Sequence, residues 1–149
     1  MRPLYIFDLD GTIALIEHRR HLVEGKSKKW DDFFEACVDD TPNQAVVNTL
    51  KRLHSAGAEI WIFSGRSESV RGKTEDWLYN HDIWRLLSRL QMRPEKDYTS
   101  DEILKETWLS NMVSTDTERL VAVFDDRDNV VKMWRENGVA CFQVAPGGF

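Results

Sequence analysis

Three short apolar runs in this chain end the same way, and that ending restricts the fold more than any other feature. "LYIF" (4–7) stops at Asp8, with Asp10 two residues on and Gly11-Thr12 behind it. "EIWIF" (59–63) runs into Ser64-Gly65-Arg66, and "RLVAVFDD" (119–126) closes on Asp125 and Asp126 before Arg127. Each run has the length and composition of a buried strand. Helical patterns lie between them. "NQAVVNTLKRLHSAG" puts Val46, Val47, Leu50 and Leu53 on one face, and Gly57 ends it. "VRGKTEDWLYNHDI", "TSDEILKETWLSNMV" and "DNVVKMWREN" read as further helices, the second opened by a Thr99/Glu102 capping box and the third closed by Gly138. "RLLSRLQM" and "VACFQV" (139–144) supply two more strands. The alternation predicts an α/β fold, a parallel sheet with helices on both faces. The 149 residues suit one compact domain, with a polar and aromatic insert at about 16–44 and "APGGF" as a loose end.

Ligands of open parallel sheets bind beyond the carboxyl ends of the strands. Three polar strand ends therefore converge on one edge. Asp8, Asp10, Asp125 and Asp126 would repel one another there and need positive charge. Hard oxygen ligands favour Mg²⁺, which keeps sites open for waters and phosphate oxygens. Ser64, Arg66 and a lysine could supply donors to a phosphate. A cation, an anion clamp and a spare carboxylate together describe phosphoryl transfer, with an Asp as candidate nucleophile.

Composition narrows the class further. The net charge of −5 and pI of about 5.4 do not suit coating a duplex by wholesale phosphate neutralisation, so any nucleic acid would be met through a local patch or at a chain end. No apolar run approaches the roughly 20 residues of a membrane helix, and the chain is expected in the cytoplasm, with Cys37 and Cys141 as reduced core thiols. The four histidines lack metal-ligand spacing and are expected to face solvent. Trp61, Trp77, Trp84, Trp108 and Trp134 fall in strand or helix patterns and read as core.

"DLDGT" (8–12) resembles the signature of haloacid dehalogenase phosphatases, and Ser64, Lys105 and Asp125-Asp126 match the remaining motifs in order. The resemblance implies a Rossmann-like sheet of strand order 5-4-1-2-3. "FSGR", Arg93, "DEILKE" and "FDDRDNVVKMWRENGVACFQVAPGGF" are further similar to the 3′-phosphatase domain of bacteriophage-type polynucleotide kinases. By that likeness Asp8 is the nucleophile and Asp10 the general acid–base. Mg²⁺ would be held by Asp8, the main-chain carbonyl of Asp10, and Asp125 with Asp126. Thr12, Ser64, Gly65, Arg66, Arg93, Lys105 and Arg127 would hold the substrate phosphate, Ser64 and Lys105 also taking part in catalysis.

The implied reaction is removal of a 3′-phosphate from a nucleic-acid end or a nucleotide through an aspartyl-phosphate. Such polynucleotide kinases carry a P-loop module, but Gly-Lys-Ser at 25–27 is not one, because Arg20 stands where its first Gly belongs. A stand-alone phosphatase is therefore expected. Two alternatives remain: a phosphatase of small free phosphomonoesters such as nucleoside monophosphates, and a phospho-accepting switch domain. The insert concentrates His18, Arg19, Arg20, His21, Lys26, Lys28 and Lys29 near Trp30. It reads as a small cap whose basic face is solvated, with Trp30, Phe33 and Phe34 packed below. The sharper reading is a guide for a polynucleotide end, with Trp30 stacking on a base.

Overall fold

A computed structural model describes all residues, Met1–Phe149. Five strands form one wholly parallel sheet: β1 (Leu4–Phe7), β4 (Glu59–Ser67), β5 (Leu87–Arg93), β6 (Leu120–Asp125) and β7 (Cys141–Gln143). Its spatial order is β5-β4-β1-β6-β7. Counting only these strands and reading from the β7 edge gives 5-4-1-2-3, the order the family resemblance implied. Two short strands, β2 (Ala14–Leu15) and β3 (Thr41–Pro42), pair antiparallel and clip the two ends of the insert together.

The period-two alternation of β4 divides the core. Ile60 and Ile62 pack beneath α2 (Gln44–Ser55) and α3 (Arg71–Asn80), in a cluster with Val47, Leu50, Trp77 and Leu78. Trp61 and Phe63 face the other way, toward α4 (Asp101–Ser110) and α6 (Asp128–Glu136), with Leu104, Trp108, Val131 and Trp134. In α6 the buried Val130, Val131, Met133 and Trp134 fall at helical spacing and bury one stripe of the helix. Deleting a side chain as large and fully buried as Trp134 would cost about 3–5 kcal/mol. Trp61, Trp77, Trp108 and Trp134 are buried as expected, and Trp84 packs at the rim of the first cluster. No helix is long and apolar enough to cross a membrane.

Three local expectations change. The cap of α4 is Ser100 rather than Thr99, and no side chain caps it. The Thr99 amide instead donates to Asp97 Oδ1 (2.9 Å) and its carbonyl accepts from Arg93, so the pair is used to shape a loop. The helical pattern after Ser110 breaks, and α5 (Ser114–Arg119) starts anew. The tail is not loose. Gly147 lies so close to the Asp126 carbonyl that a Cβ there would come within 1.9 Å of it, and its own carbonyl accepts from the Asp128 amide (2.9 Å).

The segment between β2 and β3 holds α1 (Trp30–Glu35) between two 3-10 turns. Phe33 is buried, packing edge-on to Trp30 and Phe34. Trp30 itself stays 38% exposed, and Lys28 Nζ lies 5.9 Å from its ring centroid.

Candidate active site

Chain reversal at the end of β1 begins the site. The carbonyl of Leu9 accepts from the amides of Thr12, Ile13 and Ala14, which folds the backbone into a tight knot. Gly11 sits at φ +81°, and a Cβ there would come within 2.1 Å of Asp126 Oδ2. Only glycine allows this close approach. The knot brings the Asp10 carboxylate back, so that Asp8 and Asp10 line the same cleft of about 550 Å³.

Asp8 belongs to a buried cluster. Lys105 Nζ, delivered by α4, donates to Asp8 Oδ1 (2.7 Å) and to Asp125 Oδ2 (2.9 Å). Thr12 Oγ1 donates to Asp8 Oδ2 (3.2 Å), with Asp126 Oδ1 at 3.4 Å. Asp125 Oδ1 accepts from the amides of Asp126 (2.9 Å) and Arg127 (3.2 Å), which fixes the strand end. Asp8, Asp125 and Asp126 each offer an oxygen within 4.8 Å of the others. Burial, then the neighbouring Asp125 charge, pushes the Asp8 carboxyl well above the ordinary range. The same two causes push Asp126 up to about 6. Burial alone would discharge Lys105, but Asp125 and Asp8 outweigh it and hold the ammonium charged. Three carboxylates against one ammonium leave the cluster short of positive charge. All-oxygen donors, the charge deficit and the space left by Gly11 fit a hard divalent cation.

Asp10 belongs to a second buried cluster. Its Oδ1 accepts from Arg19 Nη2 (2.7 Å) and Arg66 Nε (2.8 Å). Asp40 takes the other ends of both guanidiniums, Arg19 at 2.8 and 2.7 Å and Arg66 at 2.8 Å. His18 Nε2 lies 2.6 Å from Asp40 Oδ1, and Thr74 Oγ1 accepts from Arg66 Nη1 (3.1 Å). Burial would raise the Asp10 carboxyl, yet Arg66 and Arg19 more than offset it and hold it below the ordinary range.

Of the expected site residues, the structure brings Asp8, Asp10, Gly65, Arg93, Lys105, Asp125, Asp126 and Arg127 to the cleft. It does not bring Thr12, Ser64 or Arg66 to the cleft lining. All three are fully buried: Ser64 Oγ accepts from the Arg66 amide (3.1 Å), and Arg66 is committed to Asp10, Asp40 and Thr74. The Asp10 carboxylate lies outside the three-carboxylate cluster. Arg93 donates to the carbonyls of Gly65 (2.8 Å), Asp97 (3.2 Å) and Thr99 and pairs with Asp101, which also takes Arg127 Nη1 at 2.8 Å.

Four residues of the site went unread in the sequence as site residues: Arg19, Asp40, Thr74 and Asp101. Arg19 was grouped with a solvated basic face but is fully buried, stacked 4.2 Å from the Phe33 ring centroid. His18 faces solvent as expected, and its Nε2 also reaches Asp40 Oδ1. No local signal marks either, because their partners lie far away in sequence.

The family model for the polynucleotide kinase PNKP phosphatase domain, of the haloacid dehalogenase (HAD) class, matches residues 2–149. A protein of Autographa californica nuclear polyhedrosis virus, assigned as a bifunctional polynucleotide kinase/RNA ligase, is 33% identical over 131 residues, covering 87% of this chain and 17% of the relative. A chain of the solved Pnkp1/Rnl/Hen1 RNA repair complex superposes with a TM-score of 0.83 at 32% identity, covering 99% of this chain and 44% of that one. A class C acid phosphatase from Bacillus anthracis shares the fold, with a TM-score of 0.67 at 17% identity, over 99% of this chain and 67% of its own. This chain thus spans less than half of the first two relatives. With the family model matching essentially its whole length, the chain belongs to the polynucleotide kinase phosphatase-domain family and is a HAD-type phosphatase.

Proposed function

We propose that this phosphatase is Mg²⁺-dependent and removes 3′-phosphates from polynucleotide ends or nucleotides through a phosphate ester on Asp8. One observation carries the reading: the two carboxylates of "DLD" face one cleft from two different electrostatic surroundings. Asp8, beside Lys105, is placed to attack phosphorus, forming the Asp8–phosphorus bond as the bond to the leaving oxygen breaks. Asp10 delivers a proton to that oxygen and then takes one from the water that hydrolyses the acyl phosphate. At rest the two arginines keep Asp10 ionised. A bound phosphate dianion beside it raises its proton affinity, so the acid form is reached in the complex. Asp8, Asp125 and Asp126, with the main-chain carbonyl of Asp10, would hold Mg²⁺, which neutralises charge on the transferring group. Lys105, Arg93 and Arg127 line the cleft as cations for the phosphate oxygens. Thr12, Ser64 and Arg66 support from behind, positioning Asp8, the β4 turn and Asp10 in turn.

The segment at about 16–44 serves as a small cap on a single catalytic domain, since Trp30 and Phe33 line the cleft beside the carboxylates. Two buried free cysteines, with burial pushing the Cys141 thiol up to about 12, suit a reducing cytoplasm.

The test is a substrate panel in Mg²⁺: a 3′-phosphorylated oligonucleotide, a 3′-mononucleotide, a 5′-mononucleotide and an aryl phosphate. The 3′-phosphates should be turned over with the highest kcat/KM. Preference for the 5′-mononucleotide would replace the reading with a small-phosphomonoester phosphatase. A long-lived phosphorylated protein without steady turnover would replace it with a switch domain.

A further inference from the structure

The loop after β5, Pro94 to Ser100, is tightly built for an exposed segment. Arg93 reaches under it and donates to the carbonyls of Asp97 and Thr99. The Thr99 amide closes back onto Asp97 Oδ1 (2.9 Å), and Lys96 sits at φ +60°, a left-handed conformation that non-glycine residues adopt at a cost. Between the two pinned carbonyls, Tyr98 is held outward, 87% exposed, and lines the cleft that contains Asp8 and Asp10. A lone exposed aromatic on a slack loop would need no account. Here one is displayed from a fixed frame that shares Arg93 with the floor of the cleft.

On the reading proposed above, the phosphate sits on that floor among Lys105, Arg93 and Arg127, and the leaving nucleoside must then lie toward the mouth. We propose that Tyr98 is a substrate-contacting specificity residue whose ring stacks on the nucleobase of the 3′-terminal nucleotide. A flat π-face is what every base offers, so such a contact selects nucleotides over other phosphomonoesters without selecting among bases. Trp30, 38% exposed on the same cleft, supplies a second aromatic surface for the base or its neighbour.

The experiment compares wild type with Tyr98→Ala, Tyr98→Leu and Tyr98→Phe on two 3′-phosphorylated oligonucleotides, identical except that one lacks the terminal base. Tyr98 is almost wholly in water, so these variants keep the fold, and an unchanged thermal midpoint verifies it. Tyr98→Ala and Tyr98→Leu should raise KM for the base-bearing substrate by about tenfold, within the range of one base–aromatic stack, with kcat unchanged. Tyr98→Phe should behave as wild type, and the abasic substrate should respond to none of the three. Equal KM changes on both substrates, no change on either, or loss of function in Tyr98→Phe would overturn the stacking role while leaving the 3′-phosphatase reading intact. A wild-type enzyme that hydrolyses an aryl phosphate but neither oligonucleotide would overturn that reading, and the role of Tyr98 with it.

Discussion

Asp8 and Asp10 are two residues apart, yet folding completes the surroundings of only one. Around Asp10, two carboxylates and two guanidiniums balance: Asp10 and Asp40 share Arg19 and Arg66, with His18 and Thr74 filling remaining positions. Around Asp8, three carboxylates share one ammonium, and burial with mutual repulsion drives Asp8 and Asp126 upward in pKa. A balanced buried cluster is a structural device, costly to break. On the proposed reading, a cluster left short of cation is completed from solution by a metal, which then meets the substrate phosphate. On that same reading, the difference separates the nucleophile from the proton-transfer group, which its arginines hold ionised, within one five-residue motif.

The sharpest way to break this comparison is to neutralise Asp8. Asp8→Asn should lose turnover by more than about 10²-fold, because an amide cannot form the phosphate ester. Its thermal midpoint should hold, since the change relieves repulsion rather than creating it. Residual activity within tenfold of wild type in a steady-state assay would move the nucleophile elsewhere. Chelation should act almost as strongly: EDTA should stop the reaction, Mg²⁺ should restore it, and Ca²⁺ should restore it poorly because it prefers more ligands at longer distances. Full activity in EDTA would mean that Lys105 alone suffices for the three carboxylates.

Stability should respond in opposite directions at the two clusters. Asp40→Asn leaves two buried guanidiniums sharing one carboxylate, a loss of about 3–5 kcal/mol in urea unfolding. Asp126→Asn, measured in chelator, removes one of three crowded negative charges. It should gain about 1 kcal/mol, or roughly 2–4 °C in thermal midpoint, while losing metal-dependent activity. If both variants lose stability alike, the charge deficit around Asp8 is not real.

Which cluster could be read in the sequence follows the same division. Asp8, Asp10, Asp125 and Asp126 stand out because they cluster at the ends of two apolar strands, where charges are unexpected. The parallel α/β sheet was legible for the related reason that strand and helix periods alternate along the chain, while its strand order followed from the family resemblance alone. Arg19 and Asp40 are not legible. Each sits beside a like-charged neighbour, Arg20 and Asp39, in a polar segment, and only one of each pair turns inward. Arg66 was read as a phosphate ligand because "SGR" follows a strand. The structure spends its donors on Asp10, Asp40 and Thr74, and no periodicity could show that. The tail was misjudged for a different reason. Gly147-Gly148 looks like slack, whereas Gly147 is there because its neighbour's backbone leaves no room for a side chain.

The smallest effect comes from a control carboxylate at the opposite end of the sheet. Glu59, which opens β4, accepts from Arg119 (2.9 Å), Ser88 (2.6 Å) and Trp61 (2.7 Å). Burial pushes its carboxyl up, but those donors more than offset it and hold it down to about 2. Like the Asp10 carboxylate it is satisfied by protein alone and stays partly in contact with water. A carboxyl whose folded pKa lies below its unfolded one stabilises the fold fully above the unfolded value and loses that contribution as pH falls toward the folded value. The contribution should therefore be complete at pH 6 and should fade between about 4.5 and 2. Glu59→Gln keeps one acceptor oxygen, enough for Trp61 and Ser88, and puts an uncharged NH2 group opposite Arg119, so the loss at pH 6 should be on the order of 1 kcal/mol. Thermal midpoints of wild type and variant, followed from pH 6 downward, should converge. Curves that stay parallel to pH 2.5 would show that the neutral hydrogen bonds, not the charge, hold this end of the sheet. Glu59 would then no longer serve as the satisfied reference against which the deficit around Asp8 is judged.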